Sequence, residues 1–227
     1  LTLRMLRDSL QPAQRQPFNL RNLMQGYKSL VSDPRFVLLA LATAMPFNGL
    51  LLYVVAGPAF LGTHLQLAPT QFFWLFFITI LGFIGGAVAS GRLAGRILPR
   101  RQIQWGFGVM LAASAVNVTA NALWTAHVAW ALLPIAVFAF GWALMTPVVT
   151  LLLQDLHPTR RGLASSLQVV VASAANRVVA GGIAPLVMQS TLGLAVTSLL
   201  LMGVGLVAWM GLCMRWPQVG IQLAPAA

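Results

Sequence analysis

Residues 162–187 read GLASSLQVVVASAANRVVAGGIAPLV, a long apolar segment rich in small side chains. Arg177 lies near its far end and is the only charged residue inside any long hydrophobic run of the chain. A charge in hydrocarbon costs roughly 2.5–3.5 kcal/mol on insertion scales, so it normally faces a partner, a bundle interior or a water-filled cavity. The segment therefore predicts a membrane helix that belongs to a helical bundle.

The composition favours a lipid environment for the whole chain. Hydrophobic residues make up 59% and charged residues 7% of its 227 residues, against roughly 25% charged residues in soluble domains. A soluble domain with so few charges would expose a large apolar surface and aggregate. The net charge of +11 comes mainly from arginines that fall between apolar runs, without interleaved aromatic residues, which is the membrane pattern. We therefore expect a lipid bilayer, and no nucleic acid, as the partner.

Six apolar runs are each long enough to cross the roughly 30 Å hydrocarbon core, which takes about 20 helical residues. Because lipid does not tolerate unpaired backbone groups, each run is expected to be helical. The predicted fold class is all-α, a polytopic membrane protein whose short loops make neighbouring helices antiparallel. The predicted spans cover residues 36–61, 71–91, 103–124, 128–153, 162–187 and 191–214.

Polar segments flank this transmembrane unit of residues 36–214. In the basic linker, residues 1–35, apolar side chains recur at helical spacing from Asn19, a suitable N-cap, to Val31. The pattern is typical of an amphipathic helix at the membrane surface, and a solvated linker helix fits it nearly as well. Asp33 is placed to cap the next helix, with Pro34 in its first turn. Residues 215–227 form a predicted cytoplasmic tail.

The basic residues predict the orientation. The loops around 62–70, 125–127 and 188–190 contain no Lys or Arg, whereas every alternate connection does. By the positive-inside rule both termini are expected in the cytoplasm. The basic residues outside the spans, on the predicted cytoplasmic side, are Arg4, Arg7, Arg15, Arg21, Lys28, Arg35, Arg92, Arg96, Arg100, Arg101, Arg160, Arg161 and Arg215.

The turn after the second span, GRLAGRILPRR at residues 91–101, concentrates these charges. Glycines on either side allow two helix ends to approach, and arginines there face helix carbonyl ends and anionic lipid. On residue types alone, ordinary positive-inside anchoring explains them. The gating-loop candidates are Gly91, Arg92, Arg96, Arg100 and Arg101.

This turn resembles the degenerate second copy of the loop signature of the major facilitator superfamily, G-x-L-A-D-R-x-G-R-R in its stronger form. Gly95 stands in place of the acidic residue and Leu98 in place of the second glycine, so a gating salt bridge from that acid is not expected. The matching positions are Gly91, Leu93, Ala94, Arg96, Arg100 and Arg101.

Further segments resemble the C-terminal half of drug exporters of the Bcr/CflA type. They are RQP at 15–17, DPRF at 33–36, YVVAGPAF at 53–60 and GLASSLQ at 162–168. The resemblance implies helices seven to twelve of a twelve-helix transporter, one half of a major facilitator fold with the N-terminal half missing. The chain also opens without Met, and we expect further sequence upstream.

Such halves consist of inverted three-helix repeats with sites near broken helices at the midplane. Breaks occur at matching places in the first and fourth spans, the starts of the two candidate repeats. A packing kink explains any single one equally well. The helix-break candidates are Pro46, Gly57, Pro58 and Pro147, with Pro134 as a further break.

Intramembrane polar and aromatic groups supply candidates for a substrate cavity. Arg177 lies roughly 22 Å along its span from Gly162. There it either snorkels to the interface or faces a cavity together with Ser166, Ser173 and Asn176, which share its helix face. For the amides and the tyrosine, interhelical hydrogen bonds are the commoner role. The cavity candidates are Asn48, Tyr53, Trp142, Gln168, Asn176 and Arg177.

Enzymatic chemistry is not expected. The single cysteine, Cys213, excludes an internal disulfide, and the histidines His64, His127 and His157 lack metal-ligand spacing. No catalytic triad or phosphate loop is present. We therefore expect no metal and no cofactor.

The resemblance implies export of small lipophilic compounds from the bacterial inner membrane, with protons as the coupling ion and the proton site in the N-terminal half. There are two alternatives. One is a metabolite or organic-anion carrier of the same fold, and the other is a non-transporting fragment that needs a partner half.

Overall fold

A computed structural model describes residues 20–124 and 127–221 of the chain. Within them every regular element is helical, and six helices are long and apolar enough to cross a membrane. The all-α, six-span prediction is confirmed. Of the sequence predictions, the N-cap at Asn19, the RQP segment at 15–17 and the last six residues of the tail lie outside the described residues.

The helices follow the predicted spans closely. The surface helix α1 is Leu20–Val31, and α2 is Pro34–Val55, followed by a π-helical segment, Pro58–His64. Next come α3, Phe73–Leu93, α4, Pro99–Leu123, and α5, Val128–Asp155. Then α6, Arg161–Val178, continues through a π-helical turn, Val179–Ile183, into the short α7, Ala184–Val187, and α8 is Thr191–Arg215.

Side-chain caps and prolines set several helix starts. The carboxylate of Asp33 accepts a 2.9 Å hydrogen bond from the backbone N–H of Arg35, and Pro34 occupies the first turn of α2, as predicted. Ser190 caps α8 in the same way through the N–H of Gly193. Pro99 begins α4, where its missing N–H leaves no unsatisfied donor.

Helix α5 is the centre of the bundle and packs against α2, α3, α4 and α6, while α8 packs against α2 and α4. Glycines allow the closest approaches. A Cβ on Gly86 would meet the carbonyl oxygen of Phe140, and one on Gly141 would lie 2.8 Å from the carbonyl oxygen of Gly106. Such small-residue contacts substitute for the hydrophobic effect, which does not act between helices in lipid.

Two further glycines, Gly181 and Gly182, lie in the fifth predicted span, where small residues allow close helix packing. Added Cβ atoms at Gly181 and Gly182 meet nothing within 4 Å. Both glycines lie in the π-helical turn that follows α6, where both are exposed. Within the described residues, this pair therefore makes no close helix contact.

The surface helix α1 docks onto the bundle. Leu30 is 1% exposed, and the hydroxyl groups of Tyr27 and Ser166 are 3.1 Å apart, which joins α1 to α6. Met24 and Val31 remain largely exposed. One part of the apolar face of α1 is therefore covered by α2 and α6, and the rest of this face is available to lipid.

Candidate functional site

An open groove with aromatic walls lies where α2, α3 and α5 meet. Its volume is about 350 Å³, and we call it the aromatic groove. The indole of Trp142 forms its centre, with ring centroids 5.1 Å from Phe47 and 5.5 Å from Phe83. The residues that line the groove are Phe47, Phe83, Ala87, Trp142, Ala143, Thr146 and Pro147.

The groove offers a ligand an almost wholly apolar surface. Its one side-chain hydroxyl, on Thr146, donates a 2.7 Å hydrogen bond to the carbonyl oxygen of Trp142 one turn earlier. Pro147 has no N–H to donate to the preceding turn of α5. Rings at tilted and edge-on angles favour contact with other flat apolar groups.

Trp142 is held in place from its polar end. Its Nε1 donates a 3.0 Å hydrogen bond to the carbonyl oxygen of Thr43 on α2. Since this bond satisfies the only polar atom of the indole, the ring is fixed between α2 and α5 without presenting a polar group to the groove.

Gln168 is joined to the same region. Its amide nitrogen lies 3.4 Å from the hydroxyl of Thr43 and 3.3 Å from the hydroxyl of Thr150. Thr43, Thr150 and Gln168 form a polar node that connects α2, α5 and α6. Two predicted cavity residues, Trp142 and Gln168, therefore meet at Thr43.

Thr43 and Thr150 were not among the sequence candidates. Thr43 precedes Phe47 by four residues, so both lie on one face of α2. That spacing is the signal that would have found Thr43. Thr150 carries a weaker signal, because threonine in a membrane helix commonly bonds to its own backbone.

Asn48 and Tyr53 lie in the packed interior. Asn48 is 0% exposed, and its amide donates to the carbonyl oxygen of Ala44 on its own helix. The hydroxyl of Tyr53, a residue 2% exposed, accepts a 2.7 Å hydrogen bond from Asn117 on α4. Because side chains enclosed in this way present almost no surface to a ligand, we leave both out of the site proposed below.

Asn176 and Arg177 lie at the end of α6, about 13 Å beyond Gln168 at 1.5 Å per residue. The carbonyl oxygen of the Asn176 side chain is buried without a hydrogen-bond partner among the described residues. Arg177 is exposed. The two acidic residues in the described part of the chain pair elsewhere, Asp33 with Arg35 and Asp155 with Arg161.

The predicted helix breaks have different surroundings. Pro46 lies within a continuous α2 and packs against Gly205 of α8. At Gly57 and Pro58 the chain changes from α-helix to π-helix. Pro147, inside α5, lines the aromatic groove.

The basic turn between α3 and α4 depends on glycine at one position. Gly95 has φ +72°, a left-handed conformation that costs other residues roughly 1–2 kcal/mol. Arg92, Arg96 and Arg101 are exposed. Arg100 donates from its backbone to the carbonyl oxygen of Gly220 and from its guanidinium to that of Pro217, at 3.0 and 3.1 Å.

A buried glutamine, which the sequence pattern did not single out, fixes this end of the bundle. The amide of Gln102 donates to the hydroxyl of Ser90 at 2.7 Å and to the carbonyl oxygen of Leu144 at 2.9 Å. It thereby joins α4 to α3 and α5 next to the basic turn.

A cluster of charges lies where α2 begins. Burial alone would raise the pKa of Asp33, but hydrogen bonds from Arg35 and the nearby charges of Arg35 and His157 together lower it below the ordinary value of 3.8. The ring Nε2 of His157, in the connection between α5 and α6, is 3.4 Å from this carboxylate. The cluster brings the start of α2 next to the connection between α5 and α6.

Comparison with known proteins gives one family. No curated protein matches the chain. The family model described as Major Facilitator Superfamily matches residues 3–180, which is more than half of the 227 residues. With its six membrane-length helices, this multi-pass chain belongs to the Major Facilitator Superfamily, a family of membrane transporters.

Proposed function

We propose that this chain is the C-terminal half of an exporter of small lipophilic compounds, of the Bcr/CflA type. The aromatic groove is one wall of the substrate pathway, and an N-terminal six-helix half supplies the other. The observation that carries the proposal is the apolar, ring-lined surface of the groove, centred on Trp142. Pockets with such linings suit flat lipophilic molecules.

Protons are the proposed coupling ion. A proton-coupled cycle needs a group that gains and loses a proton inside the membrane. The acidic residues of the described chain, Asp33 and Asp155, lie at helix ends and pair with arginines. As the family resemblance implies, we place the proton-carrying carboxylate in the proposed N-terminal half.

The proposed location is a bacterial inner membrane, with both termini in the cytoplasm. Antiparallel packing brings one set of helix ends to the same side of the bundle. Within the described residues, the basic residues at or beside these ends include Arg92, Arg96, Arg100, Arg101, Arg160, Arg161 and Arg215. By the positive-inside rule this side faces the cytoplasm. The gating role of the basic turn, at Gly91, Arg92, Arg96, Arg100 and Arg101, is part of the same proposal.

The test is accumulation of ethidium in cells that lack their own exporters and express this chain with its N-terminal half. We expect expression to lower accumulation, and a protonophore to restore it. Trp142→Ala should abolish the effect because it removes the centre of the groove wall. Trp105→Ala is the matched control, since Trp105 is an exposed tryptophan on α4, away from the groove. Equal accumulation with Trp142→Ala and the unmutated protein would refute the proposal.

One observation favours a second function, an organic-anion carrier. Arg177 is exposed, and neither acidic residue of the described chain pairs with it. A cation on a cavity wall attracts carboxylates or phosphates. Transport of an organic anion that survives Arg177→Lys and fails with Arg177→Gln would favour this carrier over the exporter.

A further inference from the structure

A second groove lies between α4 and α8. Its volume is about 460 Å³, and we call it the α4–α8 groove. Its long walls are apolar, and its polar lining residues, Arg100 and Gln104, both come from the first turns of α4. The main apolar residues that line it are Phe107, Leu111, Leu206, Trp209, Met210 and Met214.

The groove has the depth of one lipid leaflet. Along α4 it extends from Arg100 to Leu111, which is about 16 Å at 1.5 Å per residue. The hydrocarbon core of a bilayer is about 30 Å thick. The groove thus runs from the end of the helices to near the middle of the membrane.

Positive charge is concentrated at one end only. Arg100 lines that end, and Arg215 follows Met214, the last lining residue of α8. The guanidinium of Arg215 lies 5.4 Å from the ring centroid of Trp216. Neither arginine pairs with an acidic residue, since Asp33 and Asp155, the acids of the described chain, bind other arginines.

We propose that the α4–α8 groove binds an anionic phospholipid, with an acyl chain between the helices and the phosphate at Arg100 and Arg215. The apolar length and the single basic end match the chain and the headgroup of such a lipid. A second copy of this chain fits less well, because a two-fold contact through this groove within one membrane would place the basic ends of the two copies against each other.

The guanidinium of Arg100 is already oriented for this role. Its Nη1 donates a hydrogen bond to the carbonyl oxygen of Pro217, which fixes the side chain near the groove, and within the described residues its other guanidinium N–H groups make no hydrogen bond. A planar guanidinium with several donors is well suited to phosphate oxygens.

The experiment is native mass spectrometry of the purified 227-residue chain, released from micelles that contain equal amounts of phosphatidylglycerol and phosphatidylcholine with identical acyl chains. We expect phosphatidylglycerol to remain bound preferentially. Arg100→Gln should lower its retention about tenfold, since it removes one charge-assisted contact. Arg160→Gln is the matched control, because Arg160 is an exposed arginine between α5 and α6 and does not line the groove.

A second pair of variants tests the apolar length. Gly108 lines the groove, and a Cβ there meets nothing within 4 Å, so a side chain can leave the backbone at this position and Gly108→Phe is expected to place its ring in the groove. Retention of phosphatidylglycerol should fall roughly tenfold as the acyl chain loses its contacts. Gly203→Phe, at a glycine of α8 with equally free space outside the groove, should leave it unchanged. This pair of variants also tests lipid binding in the groove if Arg100→Gln fails to fold.

Three results would overturn the proposal. Equal retention of the two lipids would show that the protein does not recognise the headgroup. Unchanged retention of phosphatidylglycerol by Gly108→Phe would show that the groove is not the lipid-binding site. A dimer of the unmutated chain that Gly108→Phe converts to monomer would assign the groove to a second copy of the chain.

Discussion

The indole Nε1 of Trp142 donates a 3.0 Å hydrogen bond to the carbonyl oxygen of Thr43, while the hydroxyl of the same threonine lies 3.4 Å from the amide of Gln168. One residue of α2 therefore contacts both α5 and α6 at the aromatic groove. If α6 moves relative to α2 during transport, the weaker of these two contacts, the one to Gln168, is the one expected to break.

Gln168→Leu should test how much the polar node stabilises the bundle. The change removes two hydrogen bonds from the amide, each worth about 0.6 kcal/mol in membrane proteins, so we expect the free energy of unfolding to fall by about 1 kcal/mol. The measurement is unfolding with sodium dodecyl sulfate in mixed micelles. Ser173→Ala, at an exposed position of the same helix, should have no effect. Equal stability of Gln168→Leu and the unmutated protein would mean that the node contributes nothing.

Tyr53→Phe should destabilise the protein, because it leaves the amide of buried Asn117 without its 2.7 Å partner. An unsatisfied buried group of this kind costs about 1–3 kcal/mol. Tyr27→Phe is the matched control, since its hydroxyl bonds to Ser166 in an exposed position. A thermal melt of the detergent-solubilised protein should show a lower midpoint for Tyr53→Phe only. Similar midpoints for both variants would contradict a stabilising role for the hydrogen bond between Tyr53 and Asn117.

Gly86→Ala should force α3 and α5 apart. The added Cβ meets the carbonyl oxygen of Phe140 and lies 2.8 Å from the Cβ of Ala143, and backbone atoms of α5 cannot rotate away. Overpacking of this kind costs typically about 1–3 kcal/mol. Gly91→Ala, where a new Cβ meets nothing within 4 Å, serves as the control on the same helix. Comparable unfolding free energies for the two variants would show that the close approach is not required.

Asp33 should make stability depend on pH only under acidic conditions. Its pKa is lowered from 3.8 by Arg35 and His157 despite the opposing effect of burial. A carboxyl with a lowered folded-state pKa stabilises the protein fully above its unfolded-state value, and the contribution is lost as the pH falls through the folded-state value. Asp33→Asn should therefore be less stable than the unmutated protein from about pH 7 down to about 5, and equally stable well below 3.8.

The control for Asp33 is Asp155→Asn. Asp155 pairs with Arg161 on the surface, and such pairs contribute about 0–1 kcal/mol. We expect little change from it at any pH in chemical denaturation. A stability difference for Asp33→Asn that grows as the pH falls would contradict the expected direction of the pH dependence.

Much of the fold could be predicted from the sequence, because the membrane restricts the choice of structure. Apolar runs of about 20 residues in lipid must be helices, so the predicted spans agree closely with the helices of the structure, except that the first helix ends at Val55 and a π-helical segment follows it. The cap at Asp33 could be predicted as well, since Pro34 and the carboxylate before it are local signals. The docking of α1 through Leu30 and Tyr27 depends on tertiary contacts and had no local signal.

The candidate site could be predicted only in part. Trp142 and Gln168 were selected as polar or aromatic groups in apolar runs, and the structure brings both to Thr43. The same reasoning selected Asn48 and Tyr53, which are buried because of how α2 rotates about its axis toward α4 and α8. Rotation of one helix against another is set by packing at residues such as Gly49 and Ser198, and no periodicity in α2 alone specifies it.

Substrate protection of one engineered cysteine tests the central claim that the aromatic groove is a wall of the transport pathway. Thr146→Cys places a thiol in the groove, in a background where Cys213→Ser removes the native one. The chain is expressed together with the proposed N-terminal half. Ethidium should slow alkylation of this thiol by N-ethylmaleimide severalfold. The control is Val116→Cys, at an exposed position on α4, whose labelling rate should not change when ethidium is added. Identical labelling rates of the Thr146→Cys variant with and without ethidium would contradict the account.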